Sequence, residues 1–266
     1  MKKNILPLVL AALMFAILAC ASPVSETPAP VAQATEIFPV VLPTSPEPIE
    51  QLITPAPLSI EEYFPLTQGA YWVYQGKVKY TQPNSSEVIE QDITWRMEVT
   101  HVYQQGEIAG FELHGAPWDL TGYEEGRQPS DYGIIRAGGN FYHTYPDTVR
   151  RMSDNTDTLE DLVNEYDLFL DIPLISGKKF CDTESITRVD GMYCWTVGEA
   201  TPVDANTIQG LDPSQSWMAH PIHKGTLPDF STMEFIPGIG ISSYTYHHNG
   251  SVSDVDLRLI EYHPGD

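Results

Sequence analysis

Positive charge is what this chain has least of. Its 266 residues hold 14 Lys and Arg against 36 Asp and Glu, a formal net charge of −22. Nucleic acids and anionic lipid headgroups are normally held by clustered cations, so the charge balance argues against both as partners. Cysteine is scarce as well: three residues, Cys20, Cys181 and Cys194, exclude a disulfide-dense scaffold. The longest apolar run, Ile5 to Ala19, is too short to read as a membrane-spanning helix. Signatures of common chemistries are missing too. There is no Gly-x-Ser-x-Gly elbow and no His-Glu-x-x-His pair, and Gly238-Ile239-Gly240 lacks the third glycine and following helix of a dinucleotide loop. No cofactor is expected. With 42% hydrophobic and 11% aromatic residues the chain can still bury a sizeable core, and one domain is the expectation.

What is present begins with an address. Met1-Lys2-Lys3-Asn4 supplies a charged start and Ile5 to Ala19 an apolar stretch, the anatomy of an export signal over residues 1–19. At its end, Ile17-Leu18-Ala19-Cys20 resembles the lipobox of a bacterial lipoprotein precursor. That resemblance implies cleavage before Cys20, a diacylglycerol on the Cys20 sulfur, and retention on the extracytoplasmic face of a membrane. Two acyl chains anchor durably where one does not, since each buried methylene contributes about 0.8 kcal/mol. Cleavage would leave 36 acidic against 12 basic residues, a formal charge of −24. Residues 20–58 then read as a tether. Nine of the 22 prolines lie between Ala21 and Leu58, with too few large apolar residues to form a core. That length spans roughly 35 Å as a coil and at most about 118 Å as polyproline.

Residues 59–266 read as one β-rich domain. Ala70, Trp72, Tyr74, Val78 and Tyr80 alternate with Gln75, Lys77 and Lys79, and Ile89, Ile93, Trp95, Met97 and Val99 repeat the pattern. Further short strands follow, including Lys178 to Arg188 and Met192 to Thr201. Near the end, Asn249-Gly250 signals a two-residue hairpin turn that would pair Tyr246 with Ser253, Tyr244 with Val255 and Ser242 with Leu257. One segment changes period: Leu159, Leu162, Val163, Tyr166, Phe169 and Leu170 predict an amphipathic helix over Thr158 to Leu170, with Asp157 and Glu160 as capping box. The expected fold is mainly β, a curved antiparallel meander (half-barrel or open barrel) with that helix packed on it to fill the concave side. The Tyr63-Phe64-Pro65-Leu66 opening with Gly69, Trp72 and Tyr74, the Asp190 to Trp195 stretch, and Phe235-Ile236-Pro237-Gly238-Ile239-Gly240 together resemble a group of secreted bacterial lipoproteins without an established activity. The resemblance implies a β-rich envelope domain and no particular chemistry.

Candidate sites are few. His220, His223, His247 and His248 are the metal candidates, yet neighbours on a strand point to opposite faces and no acidic third ligand stands at a diagnostic spacing, so no metal site is expected. Asp154, Asp157, Glu160 and Asp161 lack the glycine and terminal glutamate of a calcium loop. Glu98 and Glu112 could be drafted as the carboxylates of a hydrolase, but in so acidic a chain they read as solvated. Cys181 and Cys194 remain for a disulfide once Cys20 is lipidated, although an Asp190-Gly191 turn would set Cys194 opposite Thr187 and a bridge would need a different turn or a bulge. Trp72 and Trp95 read as core, whereas Trp118, in a loop beside Tyr123, makes that pair the candidate contact surface. The functional expectation is a membrane-anchored lipoprotein with a non-catalytic binding or envelope-assembly role. Its partner would be an envelope protein, a glycan or an apolar ligand. The alternatives are an apolar-ligand carrier and an envelope-polymer hydrolase using acidic residues.

Overall fold

In the computed structural model, residues 57–82, 85–154 and 156–265 are described, so the expectations for the signal, Cys20 and nearly all of the tether lie outside these residues. The strands are β1 (Tyr71–Thr81), β2 (Val88–Gln105), β3 (Ile108–His114), β4 (Asp131–Ala137), β5 (Asn140–Thr144), β6 (Leu168–Asp171), β7 (Lys179–Phe180), β8 (Trp195–Val197), β9 (Thr201–Val203), β10 (Trp217–Thr226), β11 (Asp229–Ile236), β12 (Gly240–His248) and β13 (Ser253–His263). The helical pieces α1 (Ile60–Tyr63), α2 (Pro146–Arg151) and α3 (Leu159–Leu162) are short. All the strands join one antiparallel sheet in the order β6-β5-β4-β3-β2-β1-β13-β12-β11-β10-β8-β7, with β9 on β10. The sheet curls into a nearly closed barrel. Its end strands β6 and β7 do not pair; the loop between them is tied by Lys178 Nζ, 2.9 Å from Asp171 Oδ1.

The alternation read from the sequence sets the inner face. Trp72, Tyr74, Val78 and Met97 are fully buried, and Trp95 and Val99 nearly so, while Gln75 and Lys77 face water. Two buried polar tips on β1 are satisfied: Trp72 Nε1 donates to the Ile239 carbonyl at 2.8 Å, and the Tyr74 hydroxyl to that of Ile241 at 2.9 Å. Phe64, delivered by α1, plugs the interior, its ring 5.1 Å from Phe235, 5.6 Å from Phe141 and 6.1 Å from Trp72. Towards the other end, where β1 finishes, the 115–130 loop folds in, with Leu120 buried and Tyr123 edge-on to Tyr80.

α2 lies on the outer face, where Val149 and Met152 pack with Ile135 and Leu162. Gly133 makes the approach possible, since a Cβ there would stand 2.7 Å from Val149 Cγ2. Beside it Arg150 and His101 pair with Glu112, which is 3% exposed. Glu112 is therefore a buried clamp, not the solvated residue expected. Glu98 is bonded to Arg96 on the surface.

The fold class stands as expected, and three local expectations are corrected. The Thr158–Leu170 helix is a single turn, α3, capped by Thr158 with Asp161, then a 3-10 turn at Glu165–Asp167 and strand β6. Val163 is already extended, and the Asn164 side chain accepts from Tyr166 N to start a new turn. The barrel interior is accordingly filled by strand side chains and Phe64. The last hairpin has the expected faces but a register shifted by two: Tyr244 opposes Leu257 and Tyr246 opposes Val255. The last β12–β13 pair is His247 with Asp254, so the connection spans 248–253 in place of a two-residue turn at Asn249-Gly250; on its other edge His248 pairs with Asp229 and Asn249 N bonds the Pro228 carbonyl at 2.9 Å. The strands expected at 178–188 and 192–201 shrink to β7 and β8. The segment between them is a loop with a 3-10 turn at Ser185–Thr187, and it is closed by a Cys181–Cys194 disulfide with Cα atoms 4.7 Å apart.

Candidate functional site

Strand alternation places two polar residues on the inner face. His143 lies two residues beyond the buried Phe141 on β5, and Lys224 two beyond the buried Ile222 on β10. Both meet at the seam where the sheet fails to close. Two adjoining clefts open there, of about 350 and 260 Å³, and His143 and Asp167 line both. The smaller is walled by Tyr166, Phe169 and Trp195, with Lys224 directly opposite Trp195 across the β8–β10 pairing.

The His143 ring sits 4.1 Å from that of Phe169 and 4.3 Å from that of Trp118. Burial among these rings, assisted by the nearby Lys224 charge, pushes its pKa down to about 3, so it is neutral at physiological pH. Lys224 Nζ lies 5.5 Å from the Trp195 ring centre, a cation–π arrangement. Burial draws the Lys224 ammonium below its usual range, against the opposing fields of Asp182 and Asp167. Burial raises the Asp167 carboxyl while Lys224 lowers it. Among the described residues no carboxylate oxygen lies within 4.0 Å of Lys224, and Asp167 has no ion-pair partner. The indole N–H groups of Trp118 and Trp195 are buried without an acceptor. A buried donor left without an acceptor costs on the order of 1–3 kcal/mol.

The candidate contact surface resolves differently for its two members. Trp118 is half-buried and packs into this cluster through His143, Phe169 and Tyr132. Tyr123 is 7% exposed and belongs to the core, so it cannot serve as a surface contact. His247 and His248 diverge, pairing with Asp254 at 2.5 Å and Asp229 at 2.6 Å. His223 Nδ1 is 3.0 Å from Thr232 Oγ1. Among the described residues no three His, Cys, Asp or Glu side chains stand together as a metal site. Among the described residues no side-chain hydrogen bond joins His143 to a hydroxyl or carboxylate.

Sequence reasoning missed His143, Asp167, Lys224 and the role of Trp195. The signal was a polar residue in step with a core face, which alternation makes visible one strand at a time.

The neutral His143 carries a pH consequence. The unfolded chain takes up a proton near pH 6.5, whereas the folded chain does so only near 3. Stability contributed by this group is therefore full above about pH 6.5 and is lost as pH falls towards 3. Allowing for partial exposure, the loss is on the order of 1 kcal/mol per pH unit. Urea unfolding at pH 6.5 and 4.5 should show His143→Gln losing about 2 kcal/mol less than the unaltered chain over that interval. Parallel losses would mean that the imidazole is hydrated.

No protein-family model matches the sequence, and no curated protein matches it. Two solved structures are similar in part. One is described as an exported protein with a YmcC-like fold from Bacteroides fragilis, 11% identical over 76% of this chain and 98% of that one, with a TM-score of 0.36. The other is described as a lipoprotein from Parabacteroides distasonis, 12% identical over the same shares, with a TM-score of 0.33.

Proposed function

We propose that this chain is a lipid-anchored extracytoplasmic protein that binds a small ligand non-catalytically in the seam cleft. The observation that carries the binding reading is the cleft itself. An open, aromatic-walled pocket holds an unpaired lysine and an unpaired aspartate, beside two indole donors without acceptors. Binding sites have this composition, with apolar walls and a few polar groups left for the ligand to satisfy. The lipobox ending at Cys20 and the long proline-rich tether support the location. An acyl-chain carrier is less well supported, because Trp72, Tyr74, Met97 and Phe235 fill the interior such a ligand would need.

One experiment addresses both halves. Cells producing the unaltered chain and Cys20→Ser are fractionated, and the purified proteins are examined by native mass spectrometry. The variant should leave the membrane fraction, and both should carry the same stoichiometric small-molecule adduct, lost in Tyr166→Ala, a change at an exposed wall residue that should leave the melting temperature unchanged. A Cys20→Ser protein still in the membrane fraction would sink the anchor. An adduct that survives Tyr166→Ala, or none in either protein, would sink the cleft reading.

A further inference from the structure

We propose that the ligand of the seam cleft is a small zwitterion of the amino-acid class with an aromatic or other apolar side chain, its carboxylate received by Lys224 and its ammonium by Asp167. The inference rests on the binding reading above and deepens it.

The first argument is charge placement. Lys224 and Asp167 line the same cleft, carry opposite charges and do not pair: their nitrogen and oxygen atoms are more than 4.0 Å apart. Every arginine among the described residues has a carboxylate partner within that distance. Two opposite charges facing one cleft without closing on each other are the complement of a molecule that carries both. Such a ligand replaces the water that the half-buried Lys224 has lost with a charge-assisted hydrogen bond, the stronger kind, while its other end meets the exposed Asp167.

The second argument is long-range. A chain of net charge −22 repels an anion before it reaches Lys224, and it places no such barrier before a ligand of zero net charge. An anion-only site would work against that field, and a cation-only site would leave Lys224 opposing its own ligand. The neutral His143 adds no charge of its own to the cleft.

The third argument is the wall chemistry. Tyr166 is 55% exposed and presents its ring to the cleft, with only the edges of the buried Phe169 and Trp195 behind it, and a volume of about 260 Å³ suits one amino-acid-sized molecule. Lys224 over the Trp195 ring fixes the carboxylate end beside the indole, leaving the exposed Tyr166 ring for the apolar side chain.

The test removes one charge at a time from the ligand and then from the protein. Calorimetric titration of the full-length protein with L-phenylalanine, N-acetyl-L-phenylalanine and L-phenylalaninamide should show the zwitterion binding about tenfold or more tightly than either blocked form. Lys224→Met should weaken L-phenylalanine to the level of L-phenylalaninamide without weakening that amide, and Lys224→Arg should retain binding. Asp167→Asn should do the same for the N-acetyl form. N-acetyl-L-phenylalanine binding as well as the zwitterion would mean an anion site, and equal binding of the amide a cation site. Either overturns the proposal and leaves the binding reading intact. No binding of any probe by a protein that carries a native adduct overturns the ligand class alone. No binding and no adduct overturns both.

Discussion

Leu257→Asp is expected to abolish cooperative unfolding, leaving a chain without a thermal transition, whereas Asp256→Ala, one residue away, should melt as the unaltered chain does. Leu257 is fully buried on β13, opposite Gly76 of β1 and Tyr244 of β12. Losing that burial costs roughly 1.5–3 kcal/mol. The new carboxylate adds a penalty of several kcal/mol for a charge with no partner in the interior. Together these approach the whole margin of about 5–15 kcal/mol that a domain possesses. Asp256 points outward, 64% exposed and 3.6 Å from Arg258 Nε, and a change there should stay within about 0.5 kcal/mol. Circular dichroism melts of the two variants decide the matter, and similar curves would mean that the inner face has been assigned to the wrong parity.

That parity was legible because it depends only on alternation within a strand. The two-residue register error in the last hairpin left Tyr244, Tyr246, Val255 and Leu257 on one face, because an even shift preserves which side each residue occupies. The error arose outside the two turn residues. His247 pairs with Asp254 while Asp229 and the Pro228 carbonyl hold His248 and Asn249 on the β11 side, contacts that no local turn rule contains. The false helix has a different origin. Leu159, Leu162 and Val163 pack on the outer cluster beneath α2, while Phe169 and Leu170 belong to β6, so residues serving two separate surfaces happened to fall at helical spacing. Tertiary pairing then outweighed a local pattern too short to hold a helix by itself.

The cleft was half legible. His143 and Lys224 are each recognisable as polar residues in step with Phe141 and Ile222. Their meeting depends on barrel closure, which brings β5 and β6 round to β7, β8 and β10 through pairings distant in sequence. Trp118 was singled out for lying in a loop, yet the loop folds in at the barrel end and turns it towards His143. Tyr123 followed it inward and was lost as a surface residue.

What holds that loop is one carboxylate, and removing it should be the second large loss. Asp119 is fully buried and accepts three hydrogen bonds: from Ser130 N at 2.7 Å, from the Tyr132 hydroxyl at 3.0 Å and from Arg127 Nη2 at 3.1 Å. Burial, reinforced by the Asp119 charge, holds the Tyr132 phenol far above its ordinary range, so it remains a donor at any working pH. Asp119→Ala would strand a guanidinium, a hydroxyl and a backbone N–H together. Breaking a buried pair from one side costs about 3–5 kcal/mol. Asp119→Asn keeps the shape and, with its oxygen in the Oδ1 place, the bonds from Arg127 and Tyr132, but it loses the charge and turns a donor towards Ser130 N, so a smaller loss of about 1–3 kcal/mol is expected. Urea unfolding of both variants gives the ordering, and limited trypsin digestion should cut after Arg127 faster in Asp119→Ala as the loop opens. Because Trp118 precedes Asp119 and Tyr132 touches both Asp119 and Trp118, the same variant should also lose ligand from the seam cleft under conditions where it is still folded. Equal stabilities for Asp119→Ala and the unaltered chain would mean that water replaces the carboxylate. The loop would then be held by Leu120 and Tyr123 packing and by the bonds of Gly115 N to the Ser130 carbonyl and Gly122 N to Ser253 Oγ.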